Sequence, residues 1–325
     1  MKTAFITGIN GQDGSYLTEF LLEKGYIVVG LVRRLSVPES QTSRLEQAGV
    51  YPHDRLHLEY GDLTDSTSIM KILSDYKPDE IYNLAAQSHV RVSFDAPQFT
   101  TDTIAMGTLN LFDCARIICP DAKIYQAGSS EMFGNSIDKD GFQRESTPML
   151  PVSPYGCAKL YAHNLASTYR NSYDMFISNG ILFNHESPRR GVNFVTNKIV
   201  KGAIKIFNNE TRTLSLGNLN ATRDWGHSKD YVRAMWMMLQ HDRPDDFVCS
   251  TGVSHSVGDV VNYVFDKLDL CPDQHITIDP KYFRPQELND LKGDCSYLKE
   301  TLNWSPEYTF ENLLDEMIEH GKISK

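Results

Sequence analysis

The stretch AFITGINGQDGSYLTEFLL, from Ala4 to Leu22, joins a short apolar strand to an amphipathic helix through a turn rich in glycine. Glycine recurs at Gly8, Gly11 and Gly14, a GxxGxxG spacing. Such a turn lets the backbone approach a pyrophosphate, while the free amides and dipole of the following helix stabilise the phosphate charge. The stretch therefore predicts a dinucleotide site, with a purely structural turn as the alternative. The expected contacts are Gly8, Gly11, Gln12, Asp13 and Gly14.

A second apolar stretch, Tyr26 to Val32, predicts a strand that ends in Arg33 and Arg34. NAD-binding domains commonly place an acidic residue here, about twenty residues after the glycines, where it bonds the ribose hydroxyls. Two guanidinium groups instead favour a 2′-phosphate through charge-assisted bidentate bonds. The predicted cofactor is therefore NADP. An exposed basic strand end is the alternative interpretation.

Two further strands are predicted, at Leu56 to Tyr60 and at Glu80 to Leu84. After the first, Asp62 would suit the exocyclic amine of adenine, with Leu63 beside it, although an Asp in a turn is as often a helix cap. After the second, small residues would let the chain pass close to a nicotinamide ribose, although tight packing explains them equally well. The cofactor candidates in that loop are Leu84, Ala85, Ala86, Gln87 and Ser88, and Ser88 is also a substrate candidate.

Strands alternate with helices along this part of the chain, including a long helix predicted at roughly Thr103 to Ile118. The alternation predicts an α/β fold with a doubly wound parallel sheet and right-handed crossovers. With 325 residues and 41% hydrophobic content, the chain is long enough for one large α/β domain and a smaller lobe.

The net charge, the cysteine spacing and the apolar stretches of the sequence argue against several classes of function. A net charge of −10 without runs of like charge argues against nucleic acid or an anionic membrane as partner. The six cysteines form neither CxxC pairs nor Cys/His clusters with zinc spacing, so we expect reduced thiols and no metal site. The chain begins with a strand rather than an apolar signal core, and no later apolar stretch is long enough to cross a bilayer. A cytoplasmic location is expected.

The stretch SPYGCAK, from Ser153 to Lys159, carries the candidate acid/base chemistry. Ser153 is a good N-cap and Pro154 a good first helical residue, so a helix should begin just before Tyr155. Tyr155 and Lys159 lie four residues apart and would share one helix face. There an ammonium can lower the pKa of a phenol and make it a usable base near neutral pH. An exposed helix pair worth little energy is the alternative.

Upstream, Lys123 to Gln126 predicts a short buried strand. It would place Ser129 and Glu131 just beyond its carboxyl end, where α/β sheets hold their ligands. The hydroxyl, the carboxylate, the phenol and the ammonium would then converge on one sugar-sized molecule. The alternative for Glu131 is a surface acid on a strand-end loop. The predicted catalytic residues are Ser129, Glu131, Tyr155 and Lys159.

Together these motifs resemble the extended short-chain dehydrogenases/reductases, and among them the GDP-mannose 4,6-dehydratases. The resemblance runs nearly end to end and is also carried by NHESPRRG at 184–191, RDWG at 223–226 and YFRP at 282–285. The string at 184–191 is the most specific, because it separates this family from most other nucleotide-sugar enzymes. One departure is Ser129, where the family usually has threonine; serine keeps the hydroxyl.

The resemblance implies conversion of GDP-D-mannose to GDP-4-dehydro-6-deoxy-D-mannose and water by internal hydride transfer through NADP. Tyr155, assisted by Lys159 and Ser129, would take the proton of the sugar 4-hydroxyl while hydride leaves C4. The resulting ketone acidifies the hydrogen on C5, which Glu131 would remove while helping water to leave from C6. The hydride then returns to C6. Glu131 thus distinguishes a dehydratase from a reductase or an epimerase.

The resemblance also implies residues that bind the ligands and a division of the chain into domains. His185 is one of the implied cofactor contacts, and the alternative is a buried histidine whose hydrogen bonds are satisfied within the protein. The implied domains are a Rossmann domain over residues 1–180, to which the chain returns at about 217–250, and a smaller, interleaved C-terminal substrate domain over residues 181–325. A homodimer or homotetramer is a further expectation. The implied cofactor contacts are Lys159, His185 and Arg190, and the implied substrate contacts are Asn184, Lys198, Arg223 and Arg284.

Two alternatives stay open. The first is a bifunctional enzyme that also reduces the 4-keto product with NADPH, because the same tyrosine and lysine serve both reactions. The second is a non-catalytic NADP-binding sensor. The intact set of four catalytic candidates argues against a sensor, which would be free to lose them.

Overall fold

The computed structural model of the chain describes residues 1–34, 41–283, 286, 288 and 290–323. Its strands are β1 (Thr3–Thr7), β2 (Ile27–Val32), β3 (Leu56–Tyr60), β4 (Glu80–Asn83), β5 (Lys123–Ala127), β6 (Ile177–Leu182), β7 (Asn184–Glu186), β8 (Leu214–Leu216), β9 (Thr222–His227), β10 (Asp246–Cys249), β11 (Ser254–Ser256), β12 (Ile276–Ile278) and β13 (Asp290–Leu291). Its helices are α1 (Gln12–Glu23), α2 (Ser43–Gln47), α3 (Ser66–Tyr76), α4 (Val90–Asp95), α5 (Pro97–Thr101), α6 (Gly107–Ile118), α7 (Pro154–Tyr173), α8 (Val195–Phe207), α9 (Ser228–Gln240), α10 (Val257–Asp266), α11 (Pro272–His275), α12 (Ser296–Leu302) and α13 (Phe310–Ile323). A π-helical segment (Asp102–Met106) and two 3₁₀ turns (Ser130–Met132 and Pro280–Tyr282) complete the description.

The main sheet has seven strands in the order β10-β6-β5-β4-β1-β2-β3. Every neighbouring pair in it is parallel. Helices cover both faces, with α1 and α9 on one side and α3 and α6 on the other. The predicted α/β fold with a doubly wound parallel sheet is confirmed. Each of the five predicted strands, of which the first was expected at Ala4 to Ile6, also agrees with the structure to within one residue at either end.

Side chains alternate between the two faces along β1. Ala4 and Ile6 pack against α1 and α9, whereas Phe5 packs against α3 and α6. All three are fully buried. A strand covered on both faces needs apolar residues at every position, which explains the continuous apolar runs in the sequence.

A second, smaller core lies in the later part of the chain, where α8, α10 and α13 pack together. Phe183 alone separates β6 from β7, and β7 pairs in parallel with β9, which also pairs with β11 and β13. The main sheet therefore leads directly into the small sheet. The chain enters the main sheet again at β10, which pairs with β6. The division into domains at residue 180 remains a prediction.

The long helix predicted at Thr103 to Ile118 begins earlier in the structure. α5, the π-helical segment and α6 follow one another without a break from Pro97 to Ile118. Pro97 occupies the first position of α5, where its missing amide costs nothing. Within the π-helical segment, Ile104 and Ala105 pack against Tyr155 and other residues of α7. This run therefore supports the helix that carries the acid/base pair. No helix in the described part of the chain is long and apolar enough to cross a membrane.

The glycine turn is packed against itself. Gly8 has a φ of +71°, a conformation that favours glycine. A Cβ on Gly14 would lie 2.3 Å from the carbonyl oxygen of Gly8 and 2.6 Å from Cα of Ile9. The carbonyl of Gly8 in turn accepts a hydrogen bond from the amide of Gly11. The turn therefore has no room for side chains at these positions.

We expect Gly14→Ala to lower the midpoint of thermal unfolding, because the added methyl group would meet backbone atoms that cannot rotate away. Overpacking of this kind costs about 1–3 kcal/mol or more. Gly258→Ala is the matched control, since Gly258 also lies in the first turn of a helix but its Cβ would meet nothing nearer than 3.4 Å. Equal unfolding midpoints for the two variants would contradict the packing argument.

Candidate active site

A cleft of about 950 Å³ opens beyond the carboxyl ends of β4, β5 and β6, with β7 and the start of α8 on its far side. The carboxyl edge of a parallel sheet is where α/β proteins hold ligands. Most of the residues predicted from the sequence line this one cleft. They are Asp13, Leu84, Ala86, Gln87, Ser88, Ser129, Glu131, Tyr155, Lys159, Asn184, His185, Arg190, Lys198 and Arg223.

Tyr155 and Lys159 lie on the buried face of α7. The helix begins as predicted, with the Ser153 hydroxyl accepting a hydrogen bond from the Gly156 amide at 3.0 Å. Tyr155 is 8% exposed and Lys159 is 4% exposed. The Lys159 ammonium donates to the carbonyl of Ala127 at 2.8 Å and lies 5.9 Å from the centre of the Tyr155 ring. The pair is thus held at the carboxyl end of β5.

The electrostatic expectation for this pair is wrong in one respect. Burial raises the pKa of Tyr155 to about 12, although a hydrogen bond with Ser129 and the charge of Arg190 lower it. Burial also lowers the pKa of Lys159 to about 8. The sequence predicted a phenol brought near neutral pH by the lysine. Burial is the largest influence on the pKa of the phenol, and the Lys159 ammonium is directed at the Ala127 carbonyl instead.

Ser129 and Glu131 lie directly after β5, each 8% exposed. The Ser129 hydroxyl caps a 3₁₀ turn by accepting a hydrogen bond from the amide of Glu131 at 3.2 Å. The same hydroxyl bonds the Tyr155 phenol, and the charge of Glu131 acts on that phenol. All four predicted catalytic side chains are therefore neighbours at the floor of the cleft.

The segment that begins at β7 is bonded to the glycine turn. The Gln12 side-chain amide donates to the carbonyl of His185 at 3.1 Å and accepts from the Ser187 hydroxyl at 2.8 Å. The imidazole Nε2 of His185 lies 2.8 Å from Oδ2 of Asp13. Asp13 and His185 were predicted as cofactor contacts, and the structure shows them to be partners of each other as well.

The protonation of His185 follows from its neighbours. Its Nδ1 lies 2.7 Å from the carbonyl of Phe183, which can only accept, so Nδ1 carries a proton. Burial lowers the pKa of His185, but the Asp13 carboxylate outweighs burial and raises it. Burial likewise opposes ionisation of Asp13, but His185 holds the pKa of that carboxyl below its usual value. The two side chains therefore form a partly buried pair in which each favours the charged form of the other.

Arg190 lies near both Asp13, which follows the glycine turn, and the Tyr155 phenol. Its guanidinium stacks over the Phe194 ring at 3.6 Å, and its Nε is 3.1 Å from Oε2 of Glu186. Its charge acts on both Asp13 and Tyr155. A glycine turn without room for side chains, followed by the amino end of α1 and faced by a guanidinium, fits the phosphates of a dinucleotide.

The substrate candidates lie on the other wall of the cleft. Asn184 is on β7, Lys198 on α8 and Arg223 on β9. The Lys198 ammonium donates to the Ser215 carbonyl at 2.6 Å and lies 3.4 Å from the centre of the Tyr282 ring. Arg223 donates to the carbonyls of Thr222 and Leu288. Backbone carbonyls thus orient both cations. Arg284 lies outside the described residues.

Asp62 lies in a second cavity of about 450 Å³, which Phe99 and Asp102 also line. Its Oδ1 accepts hydrogen bonds from the amide and the hydroxyl of Thr64. The cap of α3 is Asp65 rather than Asp62, so the helix-cap alternative is wrong. Asp62 orders the turn with one carboxylate oxygen, and its contact with adenine remains a prediction.

The glycine-turn candidates Gly8, Gly11, Gln12 and Gly14 do not line the main cleft, and neither do four further cofactor candidates, Arg33, Arg34, Leu63 and Ala85. The exposed guanidinium of Arg33 lies 5.9 Å from the centre of the Phe99 ring, beside the second cavity. The guanidinium of Arg34 lies 6.0 Å from the Tyr60 ring. The Leu63 side chain is buried in the core, and the Ala85 amide donates to the Thr7 hydroxyl at 3.1 Å. Their predicted contacts with cofactor stay predictions.

The sequence analysis missed Glu186, which lines the cleft, and Arg44, which bonds the glycine turn without lining the cleft. Glu186 is 2% exposed, lines the cleft, forms an ion pair with Arg190 and accepts a hydrogen bond from the Thr196 hydroxyl. It could have been found, because it alternates with Asn184 on one strand inside the most specific motif. Arg44 donates to the carbonyl of Asn10 in the glycine turn at 3.0 Å. No local pattern distinguishes Arg44 in its polar surroundings.

In the part of the chain that the structure describes, no three His, Cys, Asp or Glu side chains lie close enough together to hold a metal ion. All six cysteines are free thiols.

Known proteins resemble this chain over almost its whole length. A protein-family model described as GDP-mannose 4,6 dehydratase matches residues 5–317. The GDP-mannose 4,6 dehydratase of Homo sapiens is 48% identical, covering 98% of this chain and 90% of that protein. Among solved structures, a dTDP-glucose 4,6-dehydratase from Streptomyces venezuelae with NAD and TYD bound has a TM-score of 0.86 at 23% identity, covering 99% of this chain and 97% of the other. RMD from Pseudomonas aeruginosa, complexed with NADPH, has a TM-score of 0.82 at 20% identity, covering 99% and 100%.

A double-mutant cycle with Asp13→Asn and His185→Gln should show a coupling free energy that depends on pH. Asp13 stabilises the fold above its ordinary pKa of 3.8, and that contribution is lost as pH falls through its lowered folded pKa. His185 contributes below its ordinary pKa of 6.5, and its contribution is lost as pH rises through its raised folded pKa. We therefore expect about 0.5–3 kcal/mol of coupling near pH 5.5 and less near pH 9, measured by denaturant unfolding.

The exposed pair Lys267 and Asp315, 3.0 Å apart, is the control for this cycle. Lysine and aspartate both keep their charge between these two pH values, so their small coupling should not change. Coupling between Asp13 and His185 that is equal at both pH values would contradict the ionised pair.

Proposed function

This chain belongs to the GDP-mannose 4,6-dehydratase family, and we propose that it converts GDP-D-mannose to GDP-4-dehydro-6-deoxy-D-mannose and water. The observation that carries the proposal is the position of Glu131, which shares the cleft floor with Ser129, Tyr155 and Lys159. A hydroxyl, a phenol and an ammonium suffice for oxidation or reduction at a sugar carbon. Elimination of water needs a further base, and Glu131 supplies it.

Tyr155 is the base for the first half of the reaction. It takes the proton of the sugar 4-hydroxyl, which the Ser129 hydroxyl also bonds. Because burial raises the pKa of the phenol to about 12, its anion needs positive charge nearby, and Lys159 and Arg190 bring such charge to the cleft. NADP, when bound, supplies the acceptor for the hydride from C4 and the donor that returns it to C6.

Glu131 acts in the second half of the reaction. The 4-ketone acidifies the hydrogen on C5, and the Glu131 carboxylate removes that proton. The resulting acid can then donate the proton to the C6 hydroxyl, which leaves as water while the C5–C6 double bond forms. Glu131 is buried beside Tyr155, so both groups can reach adjacent carbons of a single sugar ring. One carboxyl group therefore serves as base and then as acid. When hydride returns to C6, C5 takes up one proton, which balances the proton that Tyr155 took from the 4-hydroxyl.

The size and charge of the cleft support a nucleotide sugar. A volume of about 950 Å³ lies at the upper end for small-molecule sites. Lys198 and Arg223 bring positive charge to the wall opposite the catalytic residues. That charge suits the pyrophosphate of a GDP-sugar. In an acidic protein these cations are a local exception, which is what an anionic substrate requires.

We propose NADP rather than NAD as the cofactor. Arg33 and Arg34 follow β2 where an NAD-binding domain commonly has an acid. A guanidinium matches a phosphate in a bidentate manner, whereas an acid would repel it. Asp62 and the second cavity beside Arg33 are the proposed place for adenine.

Three further statements belong to the same proposal. The first is a cytoplasmic location. The second is assembly into a homodimer or homotetramer, which rests on family resemblance alone and is tested by light scattering. The third is the division of the chain into a cofactor-binding part, residues 1–180 with a return at about 217–250, and a mainly substrate-binding part at 181–325.

Incubation with GDP-mannose and a trace of NADP, followed by mass spectrometry, tests the proposed reaction. We expect the sugar nucleotide to lose one water without net formation of NADPH. Net gain of two hydrogens when NADPH is supplied in excess would add a reductase activity. Unchanged substrate would refute the proposal.

Glu131→Gln should abolish water elimination and leave NADP binding intact, because the amide keeps the shape of the side chain but cannot accept a proton. A lost general base lowers turnover by roughly 10²–10⁴-fold. Glu145→Gln is the matched control, since Glu145 is a carboxylate outside the cleft that accepts a hydrogen bond from the Val248 amide at 2.6 Å. Unchanged turnover in Glu131→Gln would remove the assigned role.

Arg33→Ala should weaken NADP binding by roughly 10- to 100-fold and leave NAD binding unchanged, because only NADP carries the 2′-phosphate. Isothermal titration calorimetry with each dinucleotide measures both affinities. An equal loss of affinity for the two dinucleotides would show that Arg33 does not bind the 2′-phosphate.

A further inference from the structure

Arg44 is a cation fixed beside the glycine turn. It lies in α2, far along the chain from the catalytic residues, and its Nη1 donates to the carbonyl of Asn10 at 3.0 Å. Its Nε donates to the carbonyl of Arg189 at 2.9 Å. These two bonds hold the guanidinium between the glycine turn and the segment that follows β7. Its position is therefore set by the two parts of the chain that face the proposed cofactor.

The charges around Arg44 are unbalanced. Arg189 pairs with Glu19 at 2.8 Å, and Arg190 lies 3.1 Å from Glu186. Among the residues that the structure describes, no carboxylate forms an ion pair with Arg44. Burial, followed by the charge of Arg190, lowers the pKa of Arg44. A half-buried guanidinium that is repelled by a second guanidinium destabilises the folded protein unless an anion binds between them.

The anion that fits this position is a phosphate. The amino end of α1, which begins after Gly11, adds the positive end of its dipole to the two guanidinium groups. Arginine offers a planar fork of donors that matches phosphate oxygens. The hydrogen bonds to Asn10 and Arg189 use Nη1 and Nε of Arg44. The guanidinium of Arg44 has further N–H groups that can donate to a phosphate.

We propose that Arg44, together with Arg190, binds a phosphate group of the dinucleotide. The inference rests on the proposed function, because the ligand is its cofactor. Two phosphates of NADP have the required chemistry, the pyrophosphate and the 2′-phosphate of the adenosine ribose. NAD carries only the first, so a comparison of the two dinucleotides identifies the source.

The test measures dissociation constants of NADP and NAD for the full-length protein and for Arg44→Gln, by isothermal titration calorimetry. We expect the variant to bind NADP roughly 10- to 100-fold more weakly, since a charge-assisted contact is lost. An equal loss for NAD assigns the contact to the pyrophosphate, and an unchanged NAD affinity assigns it to the 2′-phosphate. Unchanged affinity for both dinucleotides overturns the proposal.

Arg55→Gln is the matched control. Its guanidinium also donates to two backbone carbonyls, those of Leu22 and Tyr26, but at the opposite end of α1. It should bind both dinucleotides as the wild type does. If wild-type protein binds neither dinucleotide, the proposed function fails rather than this inference.

A salt series separates a phosphate contact from a merely structural role. Salt screens charge–charge contacts, so NADP affinity should fall less steeply with ionic strength in Arg44→Gln than in the wild type. Weaker binding with an unchanged salt dependence would overturn the proposal, because it indicates displacement of the turn. Arg44→Lys keeps the charge without the planar fork, and its affinity should fall between those of the wild type and Arg44→Gln. If Arg44→Gln does not fold, Arg44→Lys provides the test. Wild-type affinity for NADP in a folded Arg44→Lys would show that the planar fork does not bind the phosphate, and would overturn that part of the proposal.

Discussion

The partly buried ion pair between Asp13 and His185 joins two parts of the chain that are 172 residues apart. Burying two charges is costly, and the pair is tolerable because other bonds satisfy its remaining polar atoms. The Phe183 carbonyl accepts from His185, and the Gln12 side-chain amide lies 3.2 Å from the second oxygen of Asp13. The pair fixes the start of β7 against the glycine turn. Side chains alternate along a strand, so Asn184 and Glu186 lie on the opposite face of β7 from His185, and all three residues line the cleft.

Burial of the proposed catalytic residues affects their pKa values. The same desolvation raises the pKa of Tyr155 to about 12 and lowers that of Lys159 to about 8. Both shifts oppose the charged forms, phenolate and ammonium, on which the proposed proton transfer depends. In a poorly solvated cleft, however, nearby charges act strongly on one another. The phenol therefore depends on fixed charges such as Arg190, and the position of Arg190 depends on Glu186 and Phe194.

Features encoded by neighbouring residues could be predicted from the sequence. The Ser153 cap, the start of α7 at Pro154 and the bounds of β3 follow from short-range patterns and agree with the structure. Features that depend on distant parts of the chain could not. The sequence gives no sign that Arg44 contacts Asn10 and Arg189, because that contact exists only after β2 and β7 are both in place. The pKa of Tyr155 was misjudged for the same reason, since burial is a property of the folded chain.

The string at 184–191 is specific because its residues contact different elements. Asn184 faces the cleft, His185 pairs with Asp13 below the glycine turn, and Glu186 bonds the Thr196 hydroxyl at the start of α8. Ser187 bonds Gln12, and Arg189 pairs with Glu19 on α1. A glycine turn alone is compatible with many dinucleotide-binding proteins. A segment that joins this turn to α8 and to the substrate wall restricts the geometry of all three, so its residues can vary little without moving the cofactor relative to the sugar.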